Sequence, residues 1–149
     1  MVEFHEVSEL PDGFARLLDV SVAEGFNMLE RLGQRYDEGR RFDGPGEGLF
    51  AAREGRRLLG VAGLCVDPYL EAPDVGRVRH VYVDPEARRR GVGRELVGRV
   101  VERSAASFRR LRLRTLEDPA DRFYRALGFQ ITHEADATHV LETTDLARR

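Results

Sequence analysis

The sequence predicts a mixed α/β fold of about seven strands and four helices. Three observations predict it: short runs that alternate apolar and polar residues, longer runs with apolar residues at steps of three and four, and Gly, Pro and Asp clusters between the two kinds of run. At 149 residues the chain suits one domain, 1–149, and its 8 Phe and 4 Tyr supply bulky side chains for one core.

Residues 2–7 (VEFHEV) alternate and read as a first strand. Pro11-Asp12-Gly13 turn the chain into a helical stretch over 14–32, where Phe14, Leu17, Leu18, Val22, Phe26 and Leu29 recur at helical steps. Gly25 and Asn27 are where it would divide in two, and residues 33–47, rich in Gly and without a period, predict a long loop. Leu49 to Ala52 and the apolar run Leu58 to Val66 make a hairpin through Arg53-Glu54-Gly55-Arg56. Asp67-Pro68 stops that strand; Val75 to Val83 form the next, stopped by Asp84-Pro85. From Gly91 to Phe108 the stripe Val92, Leu96, Val97, Val100, Val101, Ala105 and Phe108 marks the best helix of the chain. Arg110 to Thr115 alternate strictly, with Leu111 and Leu113 on one face of a half-buried strand and Arg110, Arg112 and Arg114 on the other. A short helix follows, with Asp118 as N-cap, Pro119 at its first position and Gly128 just past its end. Residues 129–133 and 138–144 are the closing strands.

Composition narrows the chemistry. No stretch approaches the ~20 apolar residues that span a bilayer, and the first ten residues, with three Glu and no basic segment, do not resemble a secretory signal. No membrane partner is expected. A lone cysteine, Cys65, has no internal disulfide partner, which points to a reducing, cytoplasmic setting. All 24 basic residues are Arg, so Schiff-base, P-loop and general-base lysine chemistry are excluded, whether or not genome composition is the cause. Residues 1–76 hold 8 Arg against 15 acids, residues 77–125 hold 14 against 7, and residues 126–149 hold 2 against 4. Such a split steers a polyanion to the middle and a cation to the ends, or is simply solvated surface.

The residues that carry chemistry lie in the strand, tight turn and helix of VYVDPEARRRGVGRELV, residues 81–97. The turn brings backbone N–H groups from Arg89 to Arg94 to the free N-terminus of a long helix, where the dipole favours an anion. Gly91 and Gly93 have no side chain to hold a ligand off the backbone, and Arg88, Arg89, Arg90 and Arg94 add positive charge. The arrangement suits a pyrophosphate. It is also compatible with an ordinary strand-to-helix connection. Nucleic acid is not expected as a partner, because no stacking aromatics accompany the arginines and the flanking segments are acidic.

At these residues the sequence resembles the GNAT superfamily of N-acetyltransferases, as an uncharacterised small bacterial member. Arg88-Arg89-Arg90-Gly91-Val92-Gly93 match the family's acetyl-CoA motif, (Gln/Arg)-x-x-Gly-x-(Gly/Ala), placed after a strand and at the start of the long helix. Downstream, Ala120, Phe123, Tyr124, Gly128 and Phe129 match a second family pattern, Asn-x-x-Ala-x-x-Phe-Tyr-x-x-x-Gly-Phe, with Glu117 standing where the Asn is usual. The resemblance implies a mostly antiparallel sheet in a three-layer arrangement. It implies acetyl-CoA as cosubstrate with no metal, and an N-acetyltransferase acting by direct attack of a primary amine in a ternary complex. The backbone of Val81, Tyr82 and Val83 would pair with the pantetheine arm, Arg88 through Arg94 would hold the pyrophosphate, and Tyr124 would protonate the departing thiolate. A catalytically silent acyl-CoA sensor is the alternative. Whether the protein forms a homodimer is left open.

Acylation needs a neutral amine, so some group removes its proton. The candidates are Glu24, Glu47, Glu71 and His80, the last sharing a face with Tyr82 if the strand alternates regularly. Cys65 reads as a small core residue without an activating neighbour, and His5, His80, His133 and His139 have no metal-ligand spacing. The resemblance places the acceptor, a small-molecule or peptide amine, near residues 24–47 and 130–140. An excess of acid there favours a cationic acceptor.

Overall fold

The computed structural model describes residues 1–144. In chain order the elements are β1 (Val2–Val7), α1 (Phe14–Ala23), α2 (Met28–Asp37), β2 (Gly48–Glu54), β3 (Arg57–Val66), β4 (Val75–Val83), a 3-10 turn (Pro85–Ala87), α3 (Val92–Ser104), β5 (Arg110–Leu113), α4 (Asp118–Ala126), β6 (Gln130–Ile131) and β7 (His139–Glu142). The expected seven strands and four helices are present, and the strands form one sheet in the order β1-β2-β3-β4-β5-β7-β6. Every neighbouring pair is antiparallel except β4 and β5, which run parallel. No helix among the described residues is long and apolar enough to cross a membrane.

Several boundaries differ from the sequence expectation, each for a local reason. The helical stretch divides at Gly25, whose φ of 91 no continuing helix tolerates. The second helix then runs past Gly33 to Asp37, because Leu29, Leu32 and Tyr36 continue one buried stripe. The long loop therefore begins only after it. Helix α3 stops at Ser104 rather than Phe108: the Ser104 hydroxyl donates to the Val101 carbonyl (2.6 Å) and the Phe108 amide closes on the Ser104 carbonyl (2.8 Å). The N-cap of α4 is Glu117, not Asp118, and no side chain caps it. The closing strands shrink to two and four residues around a turn closed by Thr132 N–H on the Thr138 carbonyl (2.8 Å).

Each face of the sheet carries its own apolar layer. Helices α1 and α2 pack Phe14, Leu17, Leu29 and Leu32 against Leu49, Val61 and Tyr82. Helices α3 and α4 pack Leu96, Val97, Val100 and Tyr124 against Leu59, Leu64, Val78 and Leu111. Neither α1 nor α2 has a side-chain cap, a loss of about a few tenths of a kcal/mol at Gly13 and about 1 kcal/mol at Asn27. Burial outweighs it: Leu17, Leu29 and Leu32 are fully buried, each worth about 1.5–3 kcal/mol.

One irregularity shapes the rest. Strands β4 and β5 pair only at Val75↔Arg110, Gly76↔Leu111 and Arg77↔Arg112. Further along, Val61 of β3 faces Tyr82 while Gly63 faces Arg79, so β4 carries one residue more than its partner. The surplus is taken up at His80, whose φ of 58 is left-handed. A bulge bends its strand and ends pairing. Beyond Arg77, β4 leans away from β5 and the two open into a wedge, with no strand among the described residues on the β5 side of residues 78–83.

Candidate active site

The chain leaves β4 at Val83 through a tightly held corner. Asp84, 2% exposed, accepts the Glu86 amide (3.0 Å) and the guanidinium groups of Arg16 (2.9 Å) and Arg57 (3.1 Å). Burial would raise its carboxyl; these three donors together hold it below the ordinary range instead. Arg89 (φ 66) and Gly91 (φ 77) are both left-handed, a turn geometry that gathers successive amides around one concavity. The first amide of α3 with a backbone acceptor is that of Glu95, on the Gly91 carbonyl (3.0 Å). The amides ahead of it are the free donors at the positive end of the helix.

This mouth is open. A Cβ on Gly91 would meet nothing within 4 Å, and one on Gly93 would lie 3.4 Å from Val83 and 3.5 Å from the Phe123 ring. The start of α3 thus sits between the end of β4 and α4, at the top of the wedge.

The four arginines of the turn divide into two kinds. Arg88 donates to both carboxylate oxygens of Glu24 (2.9 and 2.6 Å) and to the Val83 carbonyl (3.2 Å), and Arg90 donates to both oxygens of Glu54 (3.2 and 2.6 Å). They stiffen the turn by tying it to α1 and β2. Arg89 and Arg94 are exposed and have no ion pair among the described residues, so the free charge at the mouth is theirs.

Tyr124 lies on α4, 7% exposed, among the rings of Phe123 (5.0 Å), Phe129 (5.5 Å) and His139 (6.2 Å). Burial alone pushes its phenol above the ordinary range, so the proton stays on the oxygen at physiological pH. Sequence reasoning gave His139 no role. Its Nε2 meets Asp121 (2.7 Å) and its Nδ1 meets the Thr138 hydroxyl (2.8 Å), pinning α4 to β7 beside Tyr124. A histidine on a short closing strand carries no local signal of that contact.

The candidate bases separate sharply. Glu24 is held below the ordinary carboxylate range by the two-pronged Arg88 hydrogen bond, against burial, and it also accepts the Tyr82 hydroxyl. Glu47 accepts two backbone amides, those of Gly44 (3.1 Å) and Val66 (2.9 Å), and braces a loop. Glu71 is exposed. His80 and Tyr82 share the α1/α2 face, with Val81 between them on the other, and the bulge sets which face that is. Burial, with the nearby Arg79 charge, drives the His80 imidazole from the ordinary 6.5 down to about 4. The folded chain therefore refuses a proton that the unfolded chain takes up between those two values, and stability falls as pH drops through that window, by about 3 kcal/mol in all. Urea unfolding of wild type and His80→Gln at pH 7 and pH 4.5 checks this: the variant is expected to lose less stability on acidification.

Cys65 is buried, and burial pushes its thiol up, which suits a core residue. Among the described residues no group of three or more His, Cys, Asp and Glu is placed to hold a metal ion.

Comparison with known proteins agrees with this geometry. Residues 13–129 match the model of the acetyltransferase (GNAT) family. A candidate acetyltransferase of Exiguobacterium sp. 255-15 is 34% identical, with a TM-score of 0.86 over 99% of this chain and 97% of that one. More distant chains share the fold. The GNAT family N-acetyltransferase YhbS of Escherichia coli, solved in complex with CoA, is 17% identical with a TM-score of 0.71 over 98% of this chain and 83% of that one. A candidate acetyltransferase of Salmonella typhimurium, yncA, solved with its cofactor acetyl-CoA, is 14% identical with a TM-score of 0.66 over 95% and 94%. With a family match spanning the sheet from α1 to α4 and a close relative along its whole length, the chain belongs to the GNAT acetyltransferase family.

Proposed function

We propose that this protein is an acetyl-CoA-dependent N-acetyltransferase acting on a primary amine of a small molecule or peptide, by direct attack in a ternary complex. The observation that supports it most is the open mouth of α3, with Arg89 and Arg94 free beside it, at the end of a wedge walled by β4 and α4.

The chain's own groups fit the cosubstrate. The amides ahead of Glu95 suit a pyrophosphate, with Arg88 and Arg90 bracing the turn and Gly91, Val92 and Gly93 letting the ligand approach the backbone. The strandless edge of β4 through Val81, Tyr82 and Val83 suits an extended, amide-bearing arm, which would dock as an added strand. The neutral amine attacks the thioester carbonyl carbon; the C–N bond forms, the C–S bond breaks, and the surplus ammonium proton passes to solvent. A thiol of pKa ~8.5 is a moderate leaving group. Tyr124, whose own pKa lies above that, stabilises the departing thiolate by donating a hydrogen bond, and solvent completes the protonation.

Two measurements test the reading. At about 100 times its dissociation constant, acetyl-CoA is expected to stabilise the native state by about 2.7 kcal/mol, seen as a raised melting temperature. Free thiol should then appear with at least one member of an amine panel spanning polyamines, amino acids, aminoglycosides and peptide N-termini. Binding without thiol release from any amine would establish the acyl-CoA sensor instead. Absence of any melting shift would remove both readings.

A further inference from the structure

A cavity of about 190 Å³ lies between α2 and β4, lined chiefly by Arg31, Arg35, Glu38, Arg40, Arg79 and His80. It holds four guanidinium groups and one carboxylate. Glu38 is taken by Arg40 (2.7 Å), and Arg31, Arg35 and Arg79 have no carboxylate partner among the described residues. Two acids of this region are engaged away from the cavity: Glu24 with Arg88, and Glu47 with two backbone amides. The cavity is positive.

Two buried polar atoms on its lining have no partner among the described residues: Nε of Arg35 and Nε2 of His80. The first is a donor. The second is an acceptor, because His80 Nδ1 meets the Met28 carbonyl at 2.9 Å and must carry the ring proton. Buried polar groups are paired in nearly all native structures, so an open donor and an open acceptor in one cavity call for a ligand that brings both complements. The arginines ask for an oxyanion, and the imidazole asks for an N–H.

We propose that this cavity is the acceptor subsite, and that the acceptor is an amine carrying a carboxylate. The oxyanion is held by Arg35 and Arg79, with Arg31 adding charge, and the amino group donates to His80 Nε2. This rests on the acetyl-transfer reading of the neighbouring strand, since His80 immediately precedes Val81. The bulge turns His80 toward α2, which lets one strand serve the acyl donor along its edge and the acceptor on its face. A polyamine would meet mostly like charge, since the one carboxylate, Glu38, is held by Arg40.

The test compares α-amino acids with their carboxamides in the thiol-release assay at saturating acetyl-CoA. Each acid is expected to exceed its amide in kcat/KM by about tenfold or more. Arg79→Gln should raise KM for the acid about tenfold, leave KM for acetyl-CoA in place and erase the preference over the amide; His80→Gln should lower kcat for both. Equal or better turnover of amides or polyamines would overturn the subsite while leaving the acetyltransferase reading intact. Should no amine release thiol, calorimetric titration of the CoA-loaded protein still decides: binding of an amino acid but not its amide keeps the subsite, and binding of both or neither overturns it.

Discussion

Asp67→Ala is expected to lower the free energy of unfolding by about 3–5 kcal/mol, because it strips the shared partner from two buried cations. Asp67 is 1% exposed and faces Arg77 (3.3 Å) and Arg112 (3.3 Å), whose side chains are 7% and 2% exposed. These arginines sit opposite each other at one of the three residue pairs that join β4 and β5, so the carboxylate offsets two like charges where the parallel strands meet. They also reach the loop before β7: Arg77 donates to the Asp136 carbonyl (2.7 Å) and Arg112 to the Ala135 carbonyl (2.5 Å). Those bonds survive in the variant, and Arg112 keeps a longer ion pair with Glu134 (3.7 Å), but among the described residues Arg77 is left with no carboxylate. The exposed pair Arg109–Asp74 (2.8 Å) is the internal control, and Asp74→Ala should cost no more than about 1 kcal/mol. Urea unfolding of the three proteins checks the ranking; equal losses in the two variants would contradict the buried-network account.

That network was out of reach of the sequence, and the reason is physical. Strict alternation over residues 110–115 reads Arg110, Arg112 and Arg114 as the polar face of a half-buried strand. Only the pairing with Arg77 and the fold of the residue 134–137 loop over that face bury Arg112, and neither is a local property. The turn from Arg88 to Gly93 was legible because its geometry is local: two glycines, a strand before and a helix after dictate an open helix mouth. What the motif could not say was which arginines stay free, since Glu24 and Glu54, far off in sequence, claim Arg88 and Arg90. The acid count over residues 24–47 has the same limit. It counted carboxylates without the partners that occupy them, and missed that Arg79 on β4 joins Arg31 and Arg35 on α2 across one cavity. The β4 bulge left little mark in the sequence, because no glycine stands at its left-handed position, which His80 occupies.

Tyr124→Phe is expected to reduce kcat about 100-fold while leaving KM for acetyl-CoA and the melting temperature nearly unchanged. The separation follows from where the hydroxyl stands. Its ring is part of the α3/α4 layer, packed on Phe123 and Phe129, and phenylalanine preserves that packing. Burial is the sole influence resolved on its pKa, with no hydrogen bond to the oxygen among the described residues, so removing the oxygen orphans none of their groups. A core tyrosine would show stability unchanged and turnover unchanged as well. A hydrogen-bond donor to the leaving sulfur shows the loss in kcat alone, because the hydrogen bond strengthens only as the thiolate forms and contributes little to the ground state. The raised phenol pKa adds a second reading: wild-type turnover should hold to at least pH 10, where an ordinary tyrosine would be half ionised. Single-turnover thiol release, followed for both proteins across that range, measures each point, and a fall of less than about twofold in the variant would return Tyr124 to the core.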